Sequence, residues 1–256
     1  MKNNNDISAL SLEQFKTISL TESQKVSLMN RIDEKFIFHK SKLPYILSQL
    51  ESYYSIMEVG KEVVSHYHNV YFDTPNLDFY HDHHRGMANR IKIRNRQYVD
   101  SNLSFIEIKR KNNRSKTFKS RTKVNSALTE LTEEAAKFIA KTENIDPSIL
   151  SKSIEVGFDR IALINKKFED RCTFDMNLTV SWENKKYIFD NLIIGELKKG
   201  DFRNTSPFNQ VFRKEKIYKT SMSKYCVAMI TARPELKQNT FKPLLLKLKK
   251  LDIGNT

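Results

Sequence analysis

Phosphoryl chemistry asks little of a protein beyond cations to hold phosphate oxygens and carboxylates to recruit a divalent ion. Both residue types occur in this chain at strand spacing. Residues 90–98 read Arg90-Ile91-Lys92-Ile93-Arg94-Asn95-Arg96-Gln97-Tyr98. A strand points alternate side chains to opposite faces, so Arg90, Lys92, Arg94 and Arg96 share one face and Ile91 and Ile93 the other. Residues 105–111 repeat the device, with Glu107, Lys109 and Lys111 opposite Ile106 and Ile108. Residues 116–124 place Lys119, Arg121 and Lys123 on one face. Like charges spaced about 7 Å apart along a strand repel one another, so such a face suits water or a polyanion. Three amphipathic strands with solvated faces would show this pattern. If the apolar faces pack outward on helices, the cations line the inside of a barrel.

The carboxylates set among these cations are Glu107, Glu196 in Gly195-Glu196-Leu197-Lys198, and Asp33 in Arg31-Ile32-Asp33-Glu34-Lys35. Each could ligate a metal or simply neutralise a lysine. His81, His83 and His84 lack partners at zinc-site spacing and read as a surface loop. There is no glycine-rich phosphate loop, so side chains would have to hold any nucleotide. The stripes interleave isoleucine rather than the aromatic residues on which single-stranded nucleic acids stack, and no specific nucleic acid is expected as a partner. Cys172 and Cys226 have no metal-type spacing and read as free thiols in a reducing compartment.

The 256 residues suit one large domain or a domain with small appendages. A hydrophobic content of 39% suffices for a core, and a net charge of +14 calls for a polyanionic partner. No apolar run is long enough to span a bilayer, and the polar N-terminus lacks a signal-peptide core. A soluble, cytoplasmic protein is the expectation.

The elements that must position these residues follow from punctuation and periodicity. At least one short helix is expected within 7–30. Strands are expected at 31–38, 62–73, 90–98, 104–111, 116–124, 153–165, 170–181 and 185–198. Helices are expected over 43–50, capped by Ser41 with Pro44 in its first turn, over 129–141, with acids first and lysines last, and over 224–232. The 203–219 segment reads as a basic loop. Leu244, Leu245, Leu246, Leu248 and Leu251 among lysines predict a final basic amphipathic helix. Such a series of mostly antiparallel strands with a few helices fits a single barrel.

The run Tyr71-Phe72-Asp73-Thr74-Pro75-Asn76-Leu77-Asp78-Phe79-Tyr80, followed by Arg94-x-Arg96-x-Tyr98, resembles the VTC domain, the polyphosphate polymerase domain of the triphosphate tunnel metalloenzyme (CYTH-like) superfamily. The resemblance extends from about Arg31 to about Tyr225. Its motifs keep the family's order: Arg31-x-Asp33-x-Lys35-Phe36, Glu107-x-Lys109, Lys116-x-x-Lys119-x-Arg121, Arg160, Arg171, Glu196 and Ser223-Lys224-Tyr225. It implies an α+β, mainly antiparallel fold, an eight-stranded tunnel β-barrel with flanking helices over 31–232. An N-terminal helical extension (1–30) and a basic C-terminal helix or tail (233–256) would flank it.

The implied activity is metal-dependent transfer of the ATP γ-phosphate to a growing polyphosphate chain. A tunnel triphosphatase, or a module that only binds polyphosphate, would show nearly the same stripes. On the implied assignment Lys224, Arg94 and Arg96 are catalytic. Lys35, Lys92, Lys109, Lys116, Lys119, Arg121, Arg160 and Arg171 bind phosphates, with Lys116 at the rim. Glu196 and Glu107 hold Mn²⁺ or Mg²⁺. ATP and polyphosphate are the implied partners, and a membrane protein that moves the product would be encoded elsewhere. In one departure, Phe158 stands where the family often has Tyr, two residues before Arg160, which removes a hydroxyl contact.

Overall fold

In the computed structural model, residues 10–23, 32–113, 117–125, 129–200 and 206–251 are described. The expected strand at 31–38 is β2 (Ile32–His39), and 62–73 is β4 (Val64–Asp73). The three cationic stripes are β5 (Arg90–Tyr98), β6 (Leu103–Lys111) and β7 (Thr117–Val124). Next come β8 (Ser151–Asn165) and β9 (Asp170–Trp182). The predicted strand 185–198 is broken by a turn into β10 (Lys185–Phe189) and β11 (Leu192–Lys199). Two short strands escaped the periodicity, β1 (Thr17–Ser19) and β3 (Tyr54–Glu58), which pair in parallel.

All eleven strands join one sheet, whose main path runs β2-β11-β9-β8-β4-β5-β6-β7. Every neighbouring pair on that path is antiparallel. The path has the eight strands expected of the barrel, but β2 and β7 do not pair with each other among the described residues. The free edge of β2 is occupied instead. Thr220 N–H donates to Lys35 C=O at 2.7 Å, and Phe36 bridges to Lys219. The chain entering the next helix takes the hydrogen bonds that would have closed the barrel.

The helices are α1 (Leu20–Ser23), α2 (Leu43–Leu50), α3 (Asp78–His84), α4 (Glu133–Glu143), α5 (Pro207–Lys214), α6 (Lys224–Ala232) and α7 (Lys242–Lys250). Two starts differ from expectation. A 3₁₀ turn over Lys40–Lys42 precedes α2, and its cap is the His39 side chain, which accepts from Ser41 N–H, so Ser41 is not the cap. α4 begins at Glu133 because Thr132 caps it, accepting from Ala135 N–H at 3.3 Å. The segment read as a basic loop contains α5, whose Phe208 and Phe212 are buried. That pair is hidden in sequence because the helix is otherwise polar.

Each face of the sheet has its own cover. Outside β2, β11, β9 and β8, the helices α2 and α5 bury Phe36, Phe38, Leu47, Phe174, Phe208 and Phe212. Outside β4 to β7, α4 buries Ile93, Ile106 and Ile108 against Ala135 and Ile139. The isoleucine face of the stripes therefore packs outward on a helix, and the cationic face turns inward. On the concave side α6 fills part of the interior. Its residues 225–230 pack on Ile37, Ile154, Val156, Phe158, Leu178, Val180 and Ile194. A helix apolar on nearly every side is a helix surrounded by protein. The C-terminal helix α7 joins the same cluster through Leu244 and Leu248.

Phe212 stacks on Phe208 at 3.9 Å between centroids and meets Phe36 edge-on at 4.8 Å. Phe212→Ala should cost about 3–5 kcal/mol of stability through the cavity it leaves. Urea unfolding should show this as a lower midpoint with an unchanged slope.

Candidate functional site

Strand register decides which cations meet. Arg94 lies opposite Glu107, which lies opposite Arg121 on the far side; Lys109 lies between Lys92 and Lys119. Across the interior, Glu196 pairs in register with Lys35, and Lys198 with both Asp33 and Arg171. The two arms of the sheet face each other closely enough that Asp33 and Glu196 act on the charge of Lys109.

Two buried carboxylates organise most of the cations. The Glu107 side chain is only 2% exposed. Arg94 donates to its Oε2 through Nη2 at 2.6 Å and Nε at 2.9 Å, Lys119 Nζ stands 2.7 Å from Oε1, and Arg96 Nε is 3.8 Å away. Arg94 also donates to Tyr71 Oη at 3.2 Å, and Arg96 to Asn69 Oδ1 at 3.1 Å. Burial opposes the charge of Glu107, but Arg94, Arg96 and Lys119 outweigh it and hold the carboxyl well below its ordinary range. Arg94 takes up Oε2 through two hydrogen bonds, and Lys119 approaches Oε1 without completing a hydrogen bond to it, so Glu107 acts as an internal counter-ion.

The second organiser, Asp175, was missed from sequence. It is 1% exposed and binds Arg160, whose Nη2 donates at 2.8 Å, and also Lys224. Burial raises its pKa, and Arg160 and Lys224 more than reverse that. A signal was available, since Arg171, Thr173 and Asp175 alternate with Cys172, Phe174 and Met176 at strand spacing. Phe158 is not merely a lost hydroxyl. Its ring carries Lys224 Nζ at 4.4 Å and the Arg160 guanidinium at 5.2 Å, and a cation is attracted to an aromatic face.

Glu196 differs from both. Among the described residues its ion pair is with Lys198 Nζ at 3.5 Å. Burial works against its charge, but Lys198, Lys35 and Arg160 hold its pKa at about 2. Among the described residues no group of three or more His, Cys, Asp and Glu could hold an ion alone. A hard divalent ion takes oxygen ligands, most of which phosphates can supply. An ionised carboxylate on the inner face, less tightly paired than Glu107 or Asp175, fits that need, and Glu196 has that character.

The other expected residues are distributed as follows. Lys35 donates to Met222 C=O at 3.0 Å and Lys92 to Ser223 Oγ at 2.7 Å. Arg121 is exposed on β7 and lies over Phe105 at 5.1 Å. Arg171 is half-buried on β9. Lys116 and Arg31 lie outside the described residues. The histidine run is not a surface loop. It ends α3, with His84 buried against Asn239 at 2.7 Å and His83 depressed in pKa by burial and by Lys92 and Arg90. The Asp73-Thr74-Pro75 turn is structural. Asp73 accepts from Thr74, Phe79 and Tyr80 N–H and from the Tyr225 hydroxyl, tying β4 to α3 and α6.

The fold and site together are a curled antiparallel sheet whose interior is lined by cations, with carboxylates placed among them. The VTC domain matches residues 30–233, and the chain belongs to that family. No curated protein matched the chain. Similar solved structures include a Hippeastrum protein described as an adenylyl cyclase with a dominant triphosphatase activity. It is 14% identical with a TM-score of 0.49, the match covering 77% of this chain and 94% of that one. A Vibrio parahaemolyticus protein described as an adenylate cyclase is 9% identical with a TM-score of 0.48, over 79% of this chain and 99% of that one.

Three interior lysines are poised to titrate. Burial, then the neighbouring charges of Lys35, Lys109 and Arg94, bring Lys92 down to about 7, despite an opposing effect of Cys226. Burial is also the main cause that lowers Lys198 and Lys224 to about 8. The unfolded chain binds protons that the native protein has released, so stability rises with pH from about 7 towards the ordinary lysine value of 10.5. A bound polyanion favours the charged forms. Calorimetry at pH 8 in buffers of different ionisation enthalpy should therefore report proton uptake on binding tripolyphosphate. Lys92→Met should reduce the uptake and raise the melting temperature of the free protein. Proton release would contradict this electrostatic account.

Proposed function

We propose that the protein is a metal-dependent polyphosphate polymerase that transfers the γ-phosphate of ATP to a growing chain inside the cationic tunnel. The observation that carries this reading is the asymmetry among the inner carboxylates. Glu107 and Asp175 are locked to cations, whereas among the described residues the ion pair of Glu196 is the longer one to Lys198 at 3.5 Å. The site thus combines cations already held in place with an acid, Glu196, less tightly engaged than Glu107 and Asp175. Membership of the VTC domain family supports polymerisation as the reaction.

In this reading Arg94, Arg96 and Lys224 face the reacting phosphoryl group and offset the charge spread over its equatorial oxygens. Lys35, Lys92, Lys109, Lys119, Arg160 and Arg171 orient the phosphates on either side, with Arg121 on β7, and Lys116 is assigned a contact at the tunnel rim. The terminal oxygen of the chain forms the new P–O bond as the bond to ADP breaks. A divalent ion, Mn²⁺ or Mg²⁺, supplies neutralisation of the phosphate oxygens when bound, and Glu196 is the residue that would hold it. ATP and polyphosphate are the partners. The proposal includes a cytoplasmic location, a tunnel unit over 31–232 with appended segments at 1–30 and 233–256, and a separate membrane protein as recipient of the product. No helix among the described residues is long and apolar enough to cross a membrane.

Incubation with ATP and Mn²⁺ followed by gel electrophoresis tests the reaction. Chains are expected; orthophosphate alone would mean a triphosphatase, and unchanged ATP a binding module. Arg94→Ala should lower turnover by on the order of 10²-fold, as loss of a preorganised charge contact does. Ile93→Val, on the outer face, should leave turnover nearly unchanged. Glu196→Gln should retain metal-free tripolyphosphate binding, lose phosphoryl transfer and regain part of it at high Mn²⁺. Loss of stability with normal turnover per folded molecule would make Glu196 only a partner of Lys198.

A further inference from the structure

A chain that grows from ATP needs a first acceptor. One hydroxyl of the interior has the surroundings of a nucleophile. Ser223 Oγ accepts a hydrogen bond from Lys92 Nζ at 2.7 Å, although the two residues lie 131 positions apart. Both line a cavity of about 730 Å³, together with Lys35, Lys109 and Cys226. The residue after Ser223 is Lys224, and the next residue on the same face of β5 as Lys92 is Arg94. The hydroxyl therefore neighbours two of the three cations assigned above to the reacting phosphoryl group.

A serine with a base in hydrogen-bond reach is the arrangement of an activated nucleophile, and lysine is one of the bases that serine is paired with. Ser223 is half-buried and opens on the cavity, so a phosphoryl group can reach it. Lys92 is suited to take its proton. Burial, then Lys35 from β2, Lys109 from β6 and Arg94 on its own strand, bring Lys92 to about 7, against an opposing effect of Cys226 on α6. From α3, His83 is held low by burial and by Lys92 itself. Ser223 also caps α6, its Oγ accepting from Cys226 N–H at 3.3 Å. The positive end of a helix favours negative charge, both on Oγ as it reacts and on a phosphate attached there. Other lysines of the cavity donate to oxygens that cannot accept a phosphoryl group: Lys35 to Met222 C=O and Lys247 to Tyr218 C=O.

We propose that Ser223 is the first acceptor: it takes the γ-phosphoryl group of ATP, and the phosphoserine so formed primes the chain. Oγ forms a bond to the γ-phosphorus as the bond to the leaving ADP oxygen breaks. The Oγ proton passes to the neutral amine of Lys92. The products are phosphoserine, ADP and a charged lysine, which returns its proton to solvent. An oxygen of the phosphoserine then accepts the next phosphoryl group. Transfer through a loose transition state demands more positioning than nucleophilic strength, and the helix cap and Lys92 supply the positioning. Priming rests on the polymerase reading, whereas phosphorylation of Ser223 requires only that ATP binds.

The test is incubation with ATP labelled in the γ-phosphate, with Mn²⁺ at pH 8.5. The protein is then denatured, treated with mild acid to trim phosphoanhydrides, and digested for mass spectrometry. Phosphate is expected on Ser223 within the segment Thr220-Ser221-Met222-Ser223-Lys224. Ser223→Asn keeps a helix cap without a hydroxyl. It should lose the label and the chains made from ATP alone, and added tripolyphosphate, an acceptor supplied from outside, should restore chains. Ser223→Thr keeps both cap and hydroxyl and should retain the label. Lys92→Arg keeps the charge but cannot take up a proton, and should slow labelling at saturating ATP by on the order of 10²-fold, the contribution of a general base. Phosphate on Thr220 or Ser221 in place of Ser223 would overturn the proposal. So would chains made by wild-type protein that carries no phosphate, or chains made from ATP alone by Ser223→Asn at the wild-type rate; in both cases the polymerase reading stands. Phosphate on Ser223 with orthophosphate as the only other phosphate product would uphold the nucleophile and sink priming together with the polymerase reading.

Discussion

The interior of this protein is an electrostatic problem solved by two acids. Cations from β2, β5, β6, β7, β8 and α6 converge on an interior where many of the side chains are buried and their mutual repulsion is less screened than at the surface. Glu107 and Asp175, both almost completely buried, are the counter-charges that make the arrangement foldable. Each ties together residues from different elements: Glu107 joins β5 to β7, and Asp175 joins β8 to α6. Removing either acid would leave buried cations unpaired, a far larger loss than breaking a surface ion pair. The local excess of positive charge that remains is the part available to a ligand.

The second constraint is the plug. A sheet curled around a polar interior needs an apolar interior elsewhere, and α6 provides it. The helix carries opposite duties at its two ends. Its first residue, Lys224, enters the ionic network, and the residues that follow are buried among Ile154, Val156 and Val180. Ser223 caps the helix through Cys226 N–H and accepts from Lys92. Positioning of the charged residues is therefore inseparable from packing of the core, and the Asp73–Tyr225 contact extends the linkage to α3.

The inward stripe, the outward isoleucines and the family were legible in sequence because period two is a direct image of strand geometry. Closure was not legible. Whether β7 reaches β2 depends on what takes the free backbone groups of β2, and no side-chain pattern reports that Lys219 and Thr220 do so. Nor did the sequence separate roles among the acids. Glu107 and Glu196 sit in similar local contexts, each two residues before a lysine. Their difference lies in what reaches them: Arg94 and Lys119 come from adjacent strands to Glu107, whereas the adjacent strands bring Lys35 and Thr173 beside Glu196, whose ion pair is the longer one to Lys198 on its own strand. α5 was hidden because two aromatic residues four apart, Phe208 and Phe212, supply nearly all its anchorage within a polar sequence. The histidines were misjudged because their burial depends on the C-terminal segment, through Asn239.

The open side of the sheet bears on solubility. An unpaired strand edge is a template on which a second chain can add a strand, and proteins commonly discourage this with lysines on the edge. Among the described residues β7 is such an edge, and it carries Lys119, Arg121 and Lys123 in exposed positions. Two copies approaching edge to edge would bring these rows together and repel. The charges assigned a ligand-binding role in the proposed function thus also disfavour edge-to-edge pairing of two copies, so neutralising them would weaken a safeguard against aggregation.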